Sequence, residues 1–505
     1  AMRNLEENSS GFFCLSTVKG ITTIPVFRMD PILIPIEGVE TMERFFKLKE
    51  LGTNVRTEIM AGLTTFMTMA YILAVNPSIL GSSGLDPYGV FLATALAAGI
   101  FTIAMGLFVN FPVAVAPGMG LNAFFATTVI TSKATNHPIT PEMGLAAVFI
   151  SGIIFLILTI TQIRQMLVVA IPDGLKHAIT VGIGLFIAII GLKNSGIMTI
   201  GLDASVTEVA KGQYTDLLGF ETVIHMGSLE NTTVWLTLLG LAIIGILMVL
   251  KVRGAILFGI LITTLIGMIP GIDAVNFDSL KGQNWTPDFG KLNFWSFDFA
   301  DLFTTGILTA IATFTFVELF DTFGTLVGTA NRAGFFKNKE EGNKRVGKAM
   351  FVDSVAVSGG AMLGTSTVTA YVESSAGIAE GGRSGLTAVS TGVLFLLALF
   401  LAPIALLVPT SATSAALIIV GVLMIQSIKE IDFSDLVIGI PAFLTIAIMP
   451  FTYNIANGIS LGIVSYVLLA FVDNLRGGNK HKIHWLMWIL FILVIARYAF
   501  VGSQG

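Results

Sequence analysis

The stretch TSTVTAYVESSAG at residues 365–377 decides the fold of this chain, together with PVAVAPGMG at residues 112–120. In each stretch, β-branched residues that favour extended backbone follow a break and lead into small residues that can begin a helix. The two stretches begin about 250 residues apart, and each lies in an otherwise apolar segment. We therefore predict two discontinuous membrane spans, each made of a short strand, near 113–116 and 367–371, followed by a half-helix.

The composition of the chain is that of a membrane protein. Its 505 residues are 54% hydrophobic and only 12% charged, with a mean hydropathy of +0.85. Soluble chains usually carry about twice that share of charged residues, so a set of soluble domains is excluded. The formal net charge of −4 gives no basic footprint for nucleic acid. Because the chain has a single cysteine, a disulfide framework and a Cys-rich zinc site are excluded as well.

Two groups of seven apolar segments, most of them near the 20 residues that a membrane helix needs, predict the transmembrane spans. Because seven is odd, the second group must enter the membrane in the opposite sense. The predicted fold class is therefore an all-α polytopic membrane protein of about 14 spans in a 7+7 inverted repeat, with short β-strands in spans 3 and 10. A last apolar stretch either spans the membrane or lies against the bundle. The segments are 57–79, 88–109, 113–131, 142–163, 172–192, 232–250 and 254–270, then 301–329, 346–364, 366–380, 384–408, 411–428, 433–450 and 454–473, and finally 484–500.

The distribution of basic residues predicts a cytoplasmic N-terminus. In that orientation the inner loops hold twelve Lys and Arg residues, whereas the two longest outer loops, 193–231 and 270–301, hold four. Residues 1–41 contain no apolar run of span length and lack the h-region and cleavage site of a signal peptide. We expect residues 1–41 to be an extension outside the fold.

Three acidic residues within the spans carry the predicted chemistry. Glu318 and Asp321 share one face of the eighth span, and Glu373 lies where the strand of the tenth span meets its half-helix. An ionised acid at bilayer depth costs on the order of 3 kcal/mol, so each acid needs a proton or a polar ligand. Inverted-repeat transporters bind substrate between discontinuous helices, which favours a transport site here. For Asp321, a structural role in holding amides or hydroxyls of a neighbouring helix stays open.

Other side chains near the two breaks complete the candidate site. Asn122 offers a donor and an acceptor on the half-helix of span 3, and a hydrogen bond between helices is the alternative role for it. Gly120 and Ser374 lie at the starts of the two half-helices, whose first amides point toward the gap. Phe66 and Phe124 supply rings that can stack on a flat ligand. We predict that these residues bind substrate together with Glu318 and Glu373.

Several long motifs resemble one family of transporters. They are RTEIMAGLTTF at 56–66, the segment 110–122, ELFDTFGTL at 318–326, TVTAYVES at 367–374 and GIAEGGRSGLT at 377–387. All are similar to the AzgA-like purine permeases, the branch of the nucleobase–cation symporter-2 group that carries adenine, guanine and hypoxanthine. The resemblance covers roughly residues 42–500. This chain departs from the family pattern at Glu318, where some members have Asp, which keeps the charge and lengthens the reach.

The resemblance implies a UraA-like fold with a core domain and a gate domain that alternate access to the purine. The core comprises 54–166 and 301–408, the gate comprises 171–270 and 411–473, and 484–500 is a C-terminal apolar helix. It implies proton-coupled import of guanine, hypoxanthine and adenine across the plasma (inner) membrane, with the acids of spans 8 and 10 and Asn122 at the purine. Because Glu318 and Asp321 share one helical face, which disfavours their simultaneous ionisation, we predict that this pair couples the proton, rather than Na+, to transport. The expected partners are the purine, the proton and the lipid bilayer, with a homodimer left open. No cofactor, metal ion or nucleic acid is expected.

Two other functions fit the sequence less well than purine transport. An anion transporter of the same architecture is disfavoured because the acids at the helix ends would repel an anion. A membrane-embedded enzyme would need a nucleophile–base pair or a metal cluster. A carboxyl pair of Glu318 or Asp321 with Glu373 is conceivable, but many spans and half-helices fit passage better than cleavage. All five histidines fall in loops or at span ends, namely His137, His177, His225, His481 and His484.

Overall fold

The computed structural model describes most of the chain beyond residue 41. The described residues are 42–132, 138–161, 170–200, 224–270, 272, 274–275, 277, 285–299, 305–337, 339–477 and 481–501. The prediction for residues 1–41 therefore lies outside the described residues, as do large parts of both long outer loops.

Helices make up most of the described chain, as the apolar segments predict. Ten helical spans within the described residues have at least 18 residues and enough apolar character to cross a membrane, and four shorter apolar helices accompany them. The prediction of a helical multi-pass membrane protein is confirmed. In the first half the helices are α1 (Val55–Met69), α2 (Ile72–Gly81), α3 (Pro87–Ala104), α4 (Met119–Ser132), α5 (Pro141–Ile160), α6 (Asp173–Asn194), α7 (Thr232–Val249) and α8 (Ala255–Gly267). In the second half they are α9 (Thr305–Arg332), α10 (Lys339–Leu363), α11 (Ser374–Ala379), α12 (Gly385–Leu397), α13 (Ala402–Leu406), α14 (Thr410–Ile425), α15 (Leu436–Phe451), α16 (Ile455–Leu475) and α17 (Trp485–Val501).

Short strands precede α4, the half-helix of span 3, and α11, the half-helix of span 10. They are β1 (Val115–Pro117) and β4 (Val368–Ala370), and they pair in antiparallel orientation. This confirms the two predicted strands and the half-helices after them, with slightly different ends. Antiparallel pairing also means that the two spans run in opposite directions, as an inverted repeat requires. A second antiparallel pair, β2 (Met198–Ile200) with β3 (Ile224–Met226), flanks the segment between α6 and α7.

Two predicted spans are interrupted helices. The segment 57–79 consists of α1 and α2 with a break at Ala70 and Tyr71, where 3₁₀-type hydrogen bonds replace the α-helical pattern. The segment 384–408 consists of α12, a 3₁₀ turn and α13. Pro403 lies in the first turn of α13, and it cannot donate the hydrogen bond that would continue α12. The last apolar stretch forms α17, which packs against α16.

A buried carboxylate joins α1 to the start of α12. Glu58 is fully buried, and it accepts hydrogen bonds from the backbone N–H groups of Arg383 at 2.8 Å, Ser384 at 3.1 Å and Thr387 at 3.2 Å. The Thr387 hydroxyl donates to the same carboxylate at 2.5 Å. The first N–H groups of a helix have no partner within the helix and attract negative charge. Glu58, which belongs to α1, therefore supplies the hydrogen-bond acceptor for the first backbone N–H groups of α12.

An ion pair connects two segments that are distant in the chain. Arg253, between α7 and α8, contacts Glu380 at the end of α11, with Nη2 and Oε1 2.6 Å apart. Their side chains are 57% and 30% exposed. Such partly solvated ion pairs add little to the free energy of folding. The contact therefore links the two segments only weakly.

Candidate functional site

The paired strands form the centre of the candidate site. Val115 lies opposite Ala370, and Pro117 lies opposite Val368. The ladder continues on both sides, because Tyr371 N–H donates to Ala114 O at 3.0 Å and the amide of Gly118 donates to a carbonyl of the other stretch. Extended backbone within a membrane requires such internal partners. The pairing therefore lets both spans break without leaving these groups unpaired.

Side chains from the preceding spans satisfy the outer edges of the two strands. On β1, the Thr102 hydroxyl of α3 pairs with both Val115 N and Val115 O at 3.0 Å. On β4, Ala370 N–H donates to Asp353 Oδ1 of α10 at 3.1 Å. Asp353 is fully buried, and the sequence analysis did not select it. The available signal was an acid within the predicted span 346–364, close to the mixed charges in the first turns of the same helix.

Removing the acceptor of Asp353 is expected to disturb β4. We expect Asp353→Ala to lower substrate uptake about tenfold or more, because a buried N–H without a partner costs about 1–3 kcal/mol. Asp353→Asn keeps an oxygen that can accept from Ala370, so its uptake should stay within about threefold of wild type. Initial rates of uptake in vesicles with matched protein amounts measure both variants. Equal losses in the two variants would show that the charge, and not the hydrogen bond to β4, is what matters.

Glu373 lies at the junction of β4 and α11, as predicted, and is half-buried. The Tyr71 hydroxyl donates to Glu373 Oε1 at 2.8 Å. Tyr71 is 1% exposed and lies in the break between α1 and α2. Among the hydrogen bonds of the described residues, none joins the Glu373 side chain to the first turn of α11. The carboxylate therefore reaches the break in span 1, where the Tyr71 hydroxyl contacts it.

Glu318 approaches β4 from α9 and is 1% exposed. Its Oε1 accepts from the Thr322 hydroxyl at 3.1 Å, and Thr322 Oγ1 lies 2.7 Å from Thr369 Oγ1 on β4. Helix α9 also packs against α4 and α11. The structure thus connects Glu318 to the strand that leads into Glu373. Asp321 lies on the same helix, and its side chain is outside the described part of the chain.

The remaining predicted site residues surround the start of the two half-helices. Asn122 is fully buried, and neither its Nδ2 nor its Oδ1 has a hydrogen-bond partner within the residues that the structure describes. Ser374 Oγ accepts from Ala114 N at 3.0 Å, so it ties α11 to the segment before β1. A side chain at Gly120 would collide with Ile183 Cγ2. Gly120 thus permits the close contact of α4 with α6.

The two predicted stacking rings pack against other aromatic side chains. Phe66 makes an edge contact with Phe395 of α12, with ring centroids 5.1 Å apart, and Phe124 makes one with Phe314 of α9 at the same distance. These contacts fix the rings between helices. A bound ligand would therefore meet ring edges and faces whose orientation is already set.

The described residues contain no group of three or more His, Cys, Asp or Glu side chains placed to hold a metal ion. The side chains that the structure brings together at the site are hydrogen-bonding groups. They are the carboxyl groups of Glu318 and Glu373, the Asn122 carboxamide and several hydroxyls, beside the strand backbone.

These features define the class of protein as a multi-pass membrane transporter with paired strands between half-helices. The sequence model of the Xan_ur_permease family, described as a permease family, matches residues 56–461. The chain belongs to this family of permeases.

Curated relatives and solved structures extend this result. The adenine permease AdeP of Escherichia coli (strain K12) is 40% identical over 467 residues, which cover 92% of this chain and 98% of AdeP. The guanine/hypoxanthine permease PbuG of Bacillus subtilis (strain 168) is 41% identical over 470 residues, which cover 91% of this chain and all of PbuG. The transmembrane domain of a cyanobacterium bicarbonate transporter, BicA, has a TM-score of 0.55 at 15% identity, covering 83% of this chain and 96% of that domain. This last likeness concerns the fold alone.

Proposed function

We propose that this protein imports purine nucleobases, among them adenine, guanine and hypoxanthine, by proton symport with alternating access. The observation that carries the proposal is the Glu373 carboxylate, which Tyr71 contacts beside the paired strands, in a chain about 40% identical to permeases named for these purines. Purines present ring N–H donors and ring nitrogen acceptors along one edge. A carboxylate accepts such donors in charge-assisted hydrogen bonds.

Asn122 supplies the second half of the proposed recognition. A buried carboxamide without partners costs about 1–3 kcal/mol for each unsatisfied group. A purine edge, which carries a donor next to an acceptor, would satisfy both Nδ2 and Oδ1 at once. Sulfate carries acceptors only, so it would leave Oδ1 unpaired, and any inorganic anion would face Glu318 and Glu373 as like charges.

We infer that the core domain comprises 54–166 and 301–408 and that the gate domain comprises 171–270 and 411–473. Helix packing supports this division. In the first set α5 packs against α9 and α10, and both α1 and α3 pack against α12. In the second set α6 packs against α14 and α15, and α7 packs against α8 and α14. Relative movement of the two sets would expose the site to each side in turn.

The proposal includes the plasma membrane as location and a cytoplasmic N-terminus, on the basis of the basic inner loops. Cysteine labelling of Trp285→Cys and Lys337→Cys in intact cells tests the orientation. Trp285 lies in the long connection before α9, and Lys337 lies beyond the C-terminal end of α9, so the two are expected on opposite sides of the membrane. An impermeant reagent should label the variant at 285 and spare the one at 337. The reverse pattern contradicts the orientation.

Uptake into proteoliposomes tests the function. Purified protein with an inward proton gradient should accumulate labelled adenine, guanine or hypoxanthine, and a protonophore should abolish the accumulation. Uptake of labelled bicarbonate and labelled sulfate under the same conditions tests for anion transport. Transport of an anion without any purine uptake would overturn the proposal in favour of an anion transporter of the same fold.

Glu318 is proposed as the proton-responsive group. A protonated Glu318 can donate to a purine acceptor, whereas the ionised form only accepts, so purine binding and protonation must be linked reciprocally. Wild-type purine affinity should therefore change with pH, and Glu318→Gln should flatten that dependence. Binding of labelled purine to purified protein between pH 5 and pH 8 measures it. If the Gln variant still accumulates purine after an imposed pH step, the proton binds elsewhere, and Glu373 becomes the next candidate.

A further inference from the structure

The hydrogen bond between Tyr71 and Glu373 joins two parts of the molecule that are far apart in the sequence. The two residues are separated by 302 positions, and the bond is 2.8 Å long. Tyr71 comes from the break in the first span of one repeat, and Glu373 comes from the half-helix of the third span of the other. The site therefore depends on a contact between the two repeats.

Tyr71 is suited to orienting a carboxylate without neutralising it. A carboxylate has about four lone-pair positions, and one tyrosine hydroxyl occupies one of them. A Lys or Arg in the same place would pair with the full charge. With Tyr71 on Oε1, the carboxylate loses rotational freedom, and Oε2 can accept from a further donor.

Tyr71 itself is held firmly. Its side chain is 1% exposed and belongs to the main hydrophobic core. Its backbone carbonyl accepts from Ala74 and Val75 at the start of α2. A buried ring with a fixed backbone can direct its hydroxyl at one atom of its partner.

We propose that Tyr71 is a positioning residue for purine binding, which fixes Oε1 of Glu373 so that Oε2 receives a ring N–H of the base. This inference rests on the proposed function, because it takes Glu373 as the substrate anchor. It implies that Oε2 is the principal acceptor for the purine, because Tyr71 already occupies one lone pair of Oε1.

The test is the affinity of purified Tyr71→Phe protein for labelled adenine, guanine and hypoxanthine. Phe keeps the ring and removes the hydroxyl, so the dissociation constant should rise about tenfold, the typical value of a hydrogen bond to a charged group. The maximal uptake rate at saturating purine should change by less than about twofold, since the anchor is still present. Tyr88→Phe is the matched control, because Tyr88 is also buried and its hydroxyl contacts a backbone amide, that of Asp288.

A double variant separates positioning from a general structural role. In a Glu373→Gln background the charged hydrogen bond is absent, so adding Tyr71→Phe should weaken binding by no more than about threefold. A merely structural tyrosine would give the same loss in both backgrounds. The double variant also removes the buried charge together with the hydroxyl, so it remains informative if the single variant folds poorly.

The outcomes distinguish this inference from the function on which it rests. If the wild-type protein binds purine and Tyr71→Phe binds it with the same affinity, the role of Tyr71 is overturned and the proposed function stands. Equal losses in both backgrounds would overturn it too. Wild-type protein that binds no purine at all would overturn the proposed function, and this inference with it.

Discussion

Glu373→Gln is expected to weaken purine binding about 30-fold, or about 2 kcal/mol. Glutamine has nearly the shape of glutamate but carries one acceptor and one N–H₂ group. Because Tyr71 donates to Oε1, the glutamine oxygen would stay with Tyr71 and its N–H₂ group would face the ring N–H of the purine. Two donors would then meet at the anchor. Equilibrium binding of labelled purine to purified protein measures the loss.

Glu142→Gln is the matched control for this prediction. Glu142 lies in the first turn of α5 and is exposed, so its replacement should leave affinity unchanged. Anion transport, if the chain performs any, should survive Glu373→Gln because the change removes a like charge. Wild-type purine affinity in the Glu373→Gln protein would rule out Glu373 as the anchor.

Glu58→Leu is expected to cost about 4 kcal/mol or more of folding free energy. The carboxylate accepts from three backbone N–H groups and one hydroxyl at the start of α12. Leucine would leave these donors buried without partners, and each such group costs about 1–3 kcal/mol. Thermal unfolding in detergent should show the loss as a lower midpoint.

Glu58→Gln and Glu50→Leu complete this experiment. Glutamine retains one acceptor oxygen, so its effect should fall between wild type and Glu58→Leu. The Glu50 side chain is 69% exposed, and Glu50→Leu should change the midpoint little. An unchanged midpoint in Glu58→Leu would contradict the capping role assigned to this carboxylate.

The membrane spans and the strands could be predicted from sequence because their signals are local. Apolar runs of span length mark the helices, and a β-branched run before small residues marks each of β1 and β4. The same local information placed Glu373 at a strand–helix junction. Local information fails at Ala70 and Tyr71. The apolar pattern continues there without a signal for the interruption between α1 and α2.

The partners of the buried acids could not be predicted, because each lies far away in the chain. Glu58 pairs with residues 325–329 positions later, and Glu373 with a tyrosine 302 positions earlier. No periodicity carries such information. The role of Asp353 could not be predicted for a related reason. It accepts from Ala370 at the edge of β4, and that strand belongs to the next span.

The helix α11 has only six residues and is about 9 Å long. Glu373 precedes it and contacts Tyr71, and Glu380 follows it and contacts Arg253. So short a helix moves as one rigid piece, and displacement at one end reaches the other. The Arg253 pair is worth on the order of 0–1 kcal/mol, so thermal motion can open and close it. A displacement of the Glu373 end of α11 would therefore move Glu380 as well, and with it the contact to the segment between α7 and α8.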